Sequence, residues 1–320
     1  MHKIKLDFLK SPWRRWGRQT LLGLGGLIIT ISSGSLVSQG QERNSPQIVA
    51  TIFPIYMFSK AVVGENTEVE ILIPPGTSIH EYQAKPTDVR AIAEAEILVK
   101  NGLGIEEYLD KLIAAADNSQ LKQIDTSEGI EAIEEEEHEE EHQGHNHHHH
   151  HEYGNPHVWL DPVRAQQQVI NIRDGLIDAD SNNAEKYAAN AAVYIQKLQE
   201  LDREFKTRLT PMQGCKFIAF HDAYPYLAKR YNLEQMAVVE LPEDSIAPRD
   251  LQRIINAAKE FKVKGFLSES GVDDSRIAQI SKDLGLPVKV LDPIETGPLD
   301  PQHYFTAMRK NLTALEEVCR

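Results

Sequence analysis

The sequence has only two cysteines, no apolar run long enough to cross a bilayer, no basic stripe and no H-E-x-x-H motif. Each shortage excludes something. The stretch "LLGLGGLIITI" from Leu21 to Ile31 holds eleven residues, and a transmembrane helix takes about 20. No Cys follows that stretch, which excludes anchoring through a lipidated mature N-terminal Cys. A formal charge of −14 without a Lys/Arg cluster on the mature chain argues against nucleic acid as a partner. The missing H-E-x-x-H pair removes the common signature of a zinc hydrolase. Cys215 and Cys319 are the only cysteines; in an oxidising compartment they are free to bridge, and sequence leaves a disulfide and two buried thiols equally open.

The charge is unevenly placed. Residues 128–152 carry ten Glu and no Lys or Arg, so the rest of the chain amounts to −4. The same segment is rich in His, and from about Thr126 to Tyr153 it has too few apolar residues to offset the entropy of ordering. A disordered loop over 126–153 is expected. Residues 1–40 read as an export signal: Lys3, Lys5, Lys10, Arg14, Arg15 and Arg18 precede the apolar run, and "SSGSLVSQG" offers cleavage between Ser33 and Gly40. The Arg14-Arg15 pair leaves both the general and the twin-arginine route open. The expected location is beyond the cytoplasmic membrane.

At 320 residues and 41% hydrophobic, the chain is long enough for two cores. Short β-branched runs ("QIVATIF", "VEILIP", "EILVKNG") alternate with the helical period of "PTDVRAIAEA", the pattern of a parallel sheet. A second series follows in "KFIAF", "MAVVEL", "KGFLSE" and "PVKVLD". "KPTDVRAI" at Lys85 is echoed by "APRDLQRI" at Ala247, which suggests duplication. The expected fold is therefore α/β, with (β/α) lobes over 46–161 and 183–320. A linking helix over 162–182 starts with Asp161 as N-cap and Pro162 in the first turn. A second long helix, about Asn183 to Leu209, carries Tyr187, Ala191, Tyr194, Leu198, Leu201 and Phe205 on one stripe.

Of the thirteen His, eight lie in the acidic loop: His138, His142, His145, His147, His148, His149, His150 and His151. Three others, His80, His157 and His221, stand beside turn signals at strand ends, where ligands gather in parallel α/β folds. "IVATIFPIYMFSKAVVGENTEVEILIPPGTSIHEYQAKPTDVRAIAEAEILVKNGLGIEEYLDKL", "NPHVWLDP", "KFIAFHDAYPYLAKRY" and "VKVLDPI" together resemble the zinc-uptake solute-binding proteins of bacterial metal ABC transporters, the cluster A-I or cluster 9 family. The likeness spans nearly the whole mature chain and includes the acidic His-rich loop.

The resemblance implies an interlobe cleft, lobes joined by a long rigid helix, and Zn2+ held by His80, His157 and His221 as transported ligand. It leaves the fourth position to Asp292 or to water, with Asp161 and Asp222 as candidate acceptors behind the ligands. Manganese-selective relatives usually carry Glu in place of His221, and imidazole suits zinc where carboxylate suits manganese. The implied partner is a membrane permease, with the binding protein a monomer and not an enzyme. The alternatives are a manganese-binding member of the same family, or a metal-storage or sensing protein working through the loop; the loop's His are accessory weak ligands in the main reading.

Overall fold

The computed structural model of the protein describes residues 46–134, 154–239, 248–269 and 275–320. The expected signal segment 1–40 lies outside the described residues, as do all eight loop histidines.

The first lobe runs β1 (Ile48–Ala50), α1 (Phe53–Val63), β2 (Val69–Ile71), α2 (Pro86–Glu94), β3 (Ile97–Lys100), α3 (Leu109–Ala116) and β4 (Lys122–Asp125). Two long helices follow, α4 (Pro162–Ala179) and α5 (Ala184–Leu209). The second lobe runs β5 (Lys216–His221), α6 (Pro225–Arg230), β6 (Glu234–Val239), α7 (Pro248–Glu260), β7 (Phe266–Ser268), α8 (Ser275–Leu284), β8 (Val288–Val290) and α9 (His303–Cys319). Both sheets are parallel, in the orders β2-β1-β3-β4 and β6-β5-β7-β8. The two orders superpose strand for strand, and the echoed Pro-x-Asp segments open α2 and α7, which occupy the same place in each lobe. The inner strands are short and apolar on both faces, as in Ile97, Leu98 and Val99 of β3, because helices cover both sides of a parallel sheet.

The expected stripe of α5 is buried from Tyr187 to Phe205. Its 26 residues extend about 39 Å, and it packs on α1 and α4 at one end and on α9 at the other. Phe58 of α1 meets Tyr194 of α5 at 6.0 Å and Tyr304 of α9 at 5.2 Å, and Tyr194 meets Phe305 at 4.9 Å between ring centroids. One hydrophobic core thus runs through both lobes, with smaller clusters under α2 and α3 and under α7 and α8.

Two expectations need correction. The connecting helix is not the one over 162–182: α4 lies on β3 and β4 of the first sheet, and the stretch Ser181–Met212, centred on α5, joins the lobes. Gly175 is the local reason, since a Cβ there would meet Ile124 of β4 at 2.6 Å; the glycine lets α4 sit directly on the strand. The second correction concerns the start of the acidic loop. Thr126 is fully buried, Asn171 of α4 donates to the carbonyls of Thr126 and Glu128 at 2.9 Å each, and the Ile133 N–H donates to the Tyr226 hydroxyl at 3.0 Å. Residues 126–134 are held by backbone bonds that composition does not reveal.

Cys215 and Cys319 form a disulfide, with their Cα atoms 5.7 Å apart. It fastens the end of α9 to the start of β5.

Candidate metal centre

Four side chains from four separate segments meet where the strands of the two sheets end. His221 is the last residue of β5 and is fully buried. His80 lies in the loop after β2, between Ile79, which is buried, and Tyr82, whose hydroxyl donates to Asp88 of α2 at 2.7 Å. His157 precedes a one-turn 3-10 helix, Val158–Leu160, whose three side chains are fully buried, and its N–H donates to Asn155 Oδ1 at 3.1 Å. Glu295 comes from the loop after β8.

His157 Nε2 and His221 Nε2 are 3.4 Å apart. Glu295 Oε1 is 3.5 Å from His80 Nε2, 3.5 Å from His157 Nε2 and 3.8 Å from His221 Nε2. All four ligand atoms lie within 4.8 Å of one another. Zinc bonds of about 2.0–2.1 Å in a tetrahedron put neighbouring ligand atoms roughly 3.3 Å apart. The four separations from 3.4 to 3.8 Å therefore exceed that spacing by only about 0.1–0.5 Å.

Burial pushes the His157 imidazole down to about 3, with His221 and His80 adding to the effect against Glu295; a neutral ring keeps its lone pair for a metal. Burial alone would raise the Glu295 carboxyl, but the imidazoles of His157 and His80 at 3.5 Å, with His221 beyond them, hold it far below the ordinary carboxylate range. The Glu269 carboxyl is pushed up to about 9 by burial and by Glu295. The set thus combines three imidazoles, that of His157 held neutral by burial, with one anionic oxygen.

The sequence reading left the fourth position to Asp292 or water, and the carboxylate in the cluster comes from three residues further on. Asp292 does not join the cluster: its Oδ1 accepts the Ile294 N–H at 2.8 Å, and Asn311 of α9 grips its backbone N–H and carbonyl at 2.8 and 2.7 Å. Ile294 is fully buried at φ 61°. The resulting turn aims Glu295 into the cleft, so Asp292 shapes the loop that presents the fourth side chain. Asp161 caps α4 through Val163 N–H at 2.9 Å and pairs with Arg164 at 2.6 Å, and Asp222 accepts from Asn155 and Gln235. Neither accepts from a cluster histidine in these bonds. That place is taken by Asn155, whose Oδ1 lies 3.0 Å from His157 Nδ1, and by Glu269, which follows β7. A carboxylate directly after a strand, in "FLSES", was the available signal.

The cleft is stitched across the lobes. Trp159 Nε1 donates to the Pro293 carbonyl at 2.8 Å, Tyr304 donates to the Trp159 carbonyl at 2.7 Å, and Asn155 Nδ2 donates to the Asp222 carbonyl at 2.7 Å. Trp159 is fully buried, and its ring lies 5.0 Å from that of His157. The other two tryptophans are Trp13 and Trp16, so a chain beginning after residue 40 has Trp159 alone. Its emission is expected to change in intensity in a saturable one-to-one titration with Zn2+. A flat signal across that titration would place zinc away from His157.

Two parallel four-stranded lobes, a long rigid connecting helix and a buried three-His, one-Glu cluster in the cleft define a solute-binding protein of metal-capturing design. The family model described as zinc-uptake complex component A, periplasmic, matches residues 48–318, and the chain belongs to that family. It is 33% identical to the high-affinity zinc uptake system protein ZnuA of Bacillus subtilis, over 89% of this chain and 90% of that protein. It is also 33% identical to the zinc-binding lipoprotein AdcA of Streptococcus pneumoniae over 88% of its length, and there it spans 57% of the relative. The Zn(II)-bound ZnuA-like domain of that AdcA superposes with a TM-score of 0.72 at 30% identity, covering 86% of this chain and 99% of the domain.

Proposed function

We propose that the protein captures Zn2+ outside the cytoplasmic membrane as the binding component of an ABC importer and delivers it to a membrane permease, acting as a monomer. In this reading residues 1–40 direct export and are removed between Ser33 and Gly40. Zinc is held by His80, His157, His221 and Glu295. The observation that carries the reading is the convergence of three buried imidazole nitrogens and one carboxylate oxygen within 4.8 Å. Three nitrogen donors suit zinc better than manganese, which prefers oxygen. The neighbours named for zinc uptake support the same choice.

The histidines of the acidic loop are accessory in this reading. They are numerous, but a low-complexity tract loses ordering entropy when it wraps an ion, whereas the cleft ligands are already held by two packed lobes. Deletion of residues 135–152 tests this. The Ile133 carbonyl accepts the Asn155 N–H at 2.9 Å, so the two cut ends already lie side by side. The shortened protein is expected to keep one tight zinc per molecule in a calorimetric titration and to lose several weaker ones. Disappearance of the tight phase from a folded deletion variant would make the tract the receptor.

A further inference from the structure

The two buried histidines of the cleft are backed differently. His157 Nδ1 faces an uncharged amide oxygen, Asn155 Oδ1, at 3.0 Å, whereas His221 Nδ1 faces a carboxylate, Glu269 Oε1, at 2.5 Å. The Glu269 side chain is 4% exposed and that of His221 not at all. The Tyr224 hydroxyl, itself fully buried, donates to the same carboxylate oxygen at 3.5 Å. The pairing comes from the sheet itself: β5 and β7 are neighbours with Ala219 opposite Leu267, so His221 and Glu269, each two residues further on, emerge side by side at their carboxyl ends.

We infer that Glu269 is a positioning residue for zinc capture, fixing the proton of His221 on Nδ1 and thereby aiming the Nε2 lone pair at the ion. The inference rests on the proposed ligand role of His221. Imidazole binds metal through one nitrogen, and the hydrogen bond at the other decides which tautomer is present and how the ring is turned. An acceptor on Nδ1 is therefore required for Nε2 to face His157 and Glu295. A carboxyl oxygen there also strengthens the donor power of the ring. The first lobe meets the same steric requirement with an amide.

The test uses the mature protein with Glu269→Met, which conserves volume but removes the acceptor, and Glu269→Gln, which keeps an acceptor oxygen without the charge. His221→Ala is the control. Zinc affinity is measured by chelator competition, and the His221 tautomer by long-range proton–nitrogen correlation on 15N-His protein with and without zinc. E269M is expected to bind zinc about 10- to 100-fold more weakly and to show His221 as a tautomer mixture in the zinc-free state. E269Q is expected to recover the Nδ1–H tautomer and most of the affinity. A residue that merely filled space would lower the melting temperature of E269M without moving the tautomer. Parent-like affinity and an unchanged tautomer in E269M, with H221A weakened, would overturn the inference alone. Parent-like affinity in H221A as well would overturn the ligand assignment beneath it. Should E269M not fold, the parent protein decides by itself: a zinc-loaded His221 without a proton on Nδ1 contradicts the proposal.

Discussion

Replacing His221 by Ala is expected to weaken tight zinc binding by about 100- to 1000-fold. Four-ligand zinc sites bind with roughly 10–16 kcal/mol at neutral pH, so one ligand of four accounts for about 2.5–4 kcal/mol, and each 1.4 kcal/mol is about tenfold in affinity. His157→Ala and His80→Ala are expected to fall in the same range, because all three nitrogens lie at comparable distances from Glu295 Oε1. Asp292→Asn should behave differently. Its amide oxygen can still accept the Ile294 N–H, so the loop keeps its turn and zinc affinity changes less than about tenfold, whereas Glu295→Ala removes a ligand. Competition titrations on the five variants give the ranking. If D292N lost more affinity than E295A, the fourth ligand would be misassigned.

Removing the disulfide, by Cys215→Ser with Cys319→Ser, is expected to lower stability by several kcal/mol. The bridge closes a loop with a sequence separation of 104, and the chain-entropy cost of freeing about 100 residues in the unfolded state is about 4.7 kcal/mol, with measured bridges typically nearer 2–4 kcal/mol. At roughly 2–4 °C per kcal/mol for a chain of this order, the zinc-free variant should melt about 5–15 °C lower. Zinc affinity should hardly change, since Cys215 sits at the opposite end of β5 from His221. A melting temperature within about 2 °C of the parent would mean that α9 is held by its packing alone.

Much of this architecture was legible from local patterns. The alternating apolar runs gave the order of seven of the eight described strands, and the stripe from Tyr187 to Phe205 marked the buried face of α5 because a 3.6-residue period survives any tertiary context. Several elements escaped, α1 and β4 for the clearest reasons. α1 buries nine of its eleven residues, and a helix apolar on nearly every side shows no period to read. β4, "KQID", has two exposed residues of four, and its strand state is imposed by pairing with β3. The same limit explains the site. His80, His157 and His221 could be singled out because each follows a strand or turn, but choosing between Asp292 and Glu295 depends on a left-handed residue at Ile294 and on Asn311, nineteen positions beyond Asp292. Asn155 and Glu269 were missed for a related reason: a side chain that backs a ligand is recognised by distance, and the neighbour relation of β5 and β7 is a property of the sheet.

The central claim is that zinc sits in the cleft between the lobes, on three histidines and one glutamate. Anomalous diffraction at the zinc edge from crystals of the mature protein loaded with one equivalent of Zn2+ tests it directly. The expected result is a single strong peak about 2.0–2.1 Å from His80 Nε2, His157 Nε2, His221 Nε2 and an oxygen of Glu295. A peak elsewhere, with those four side chains left unligated, would contradict the account.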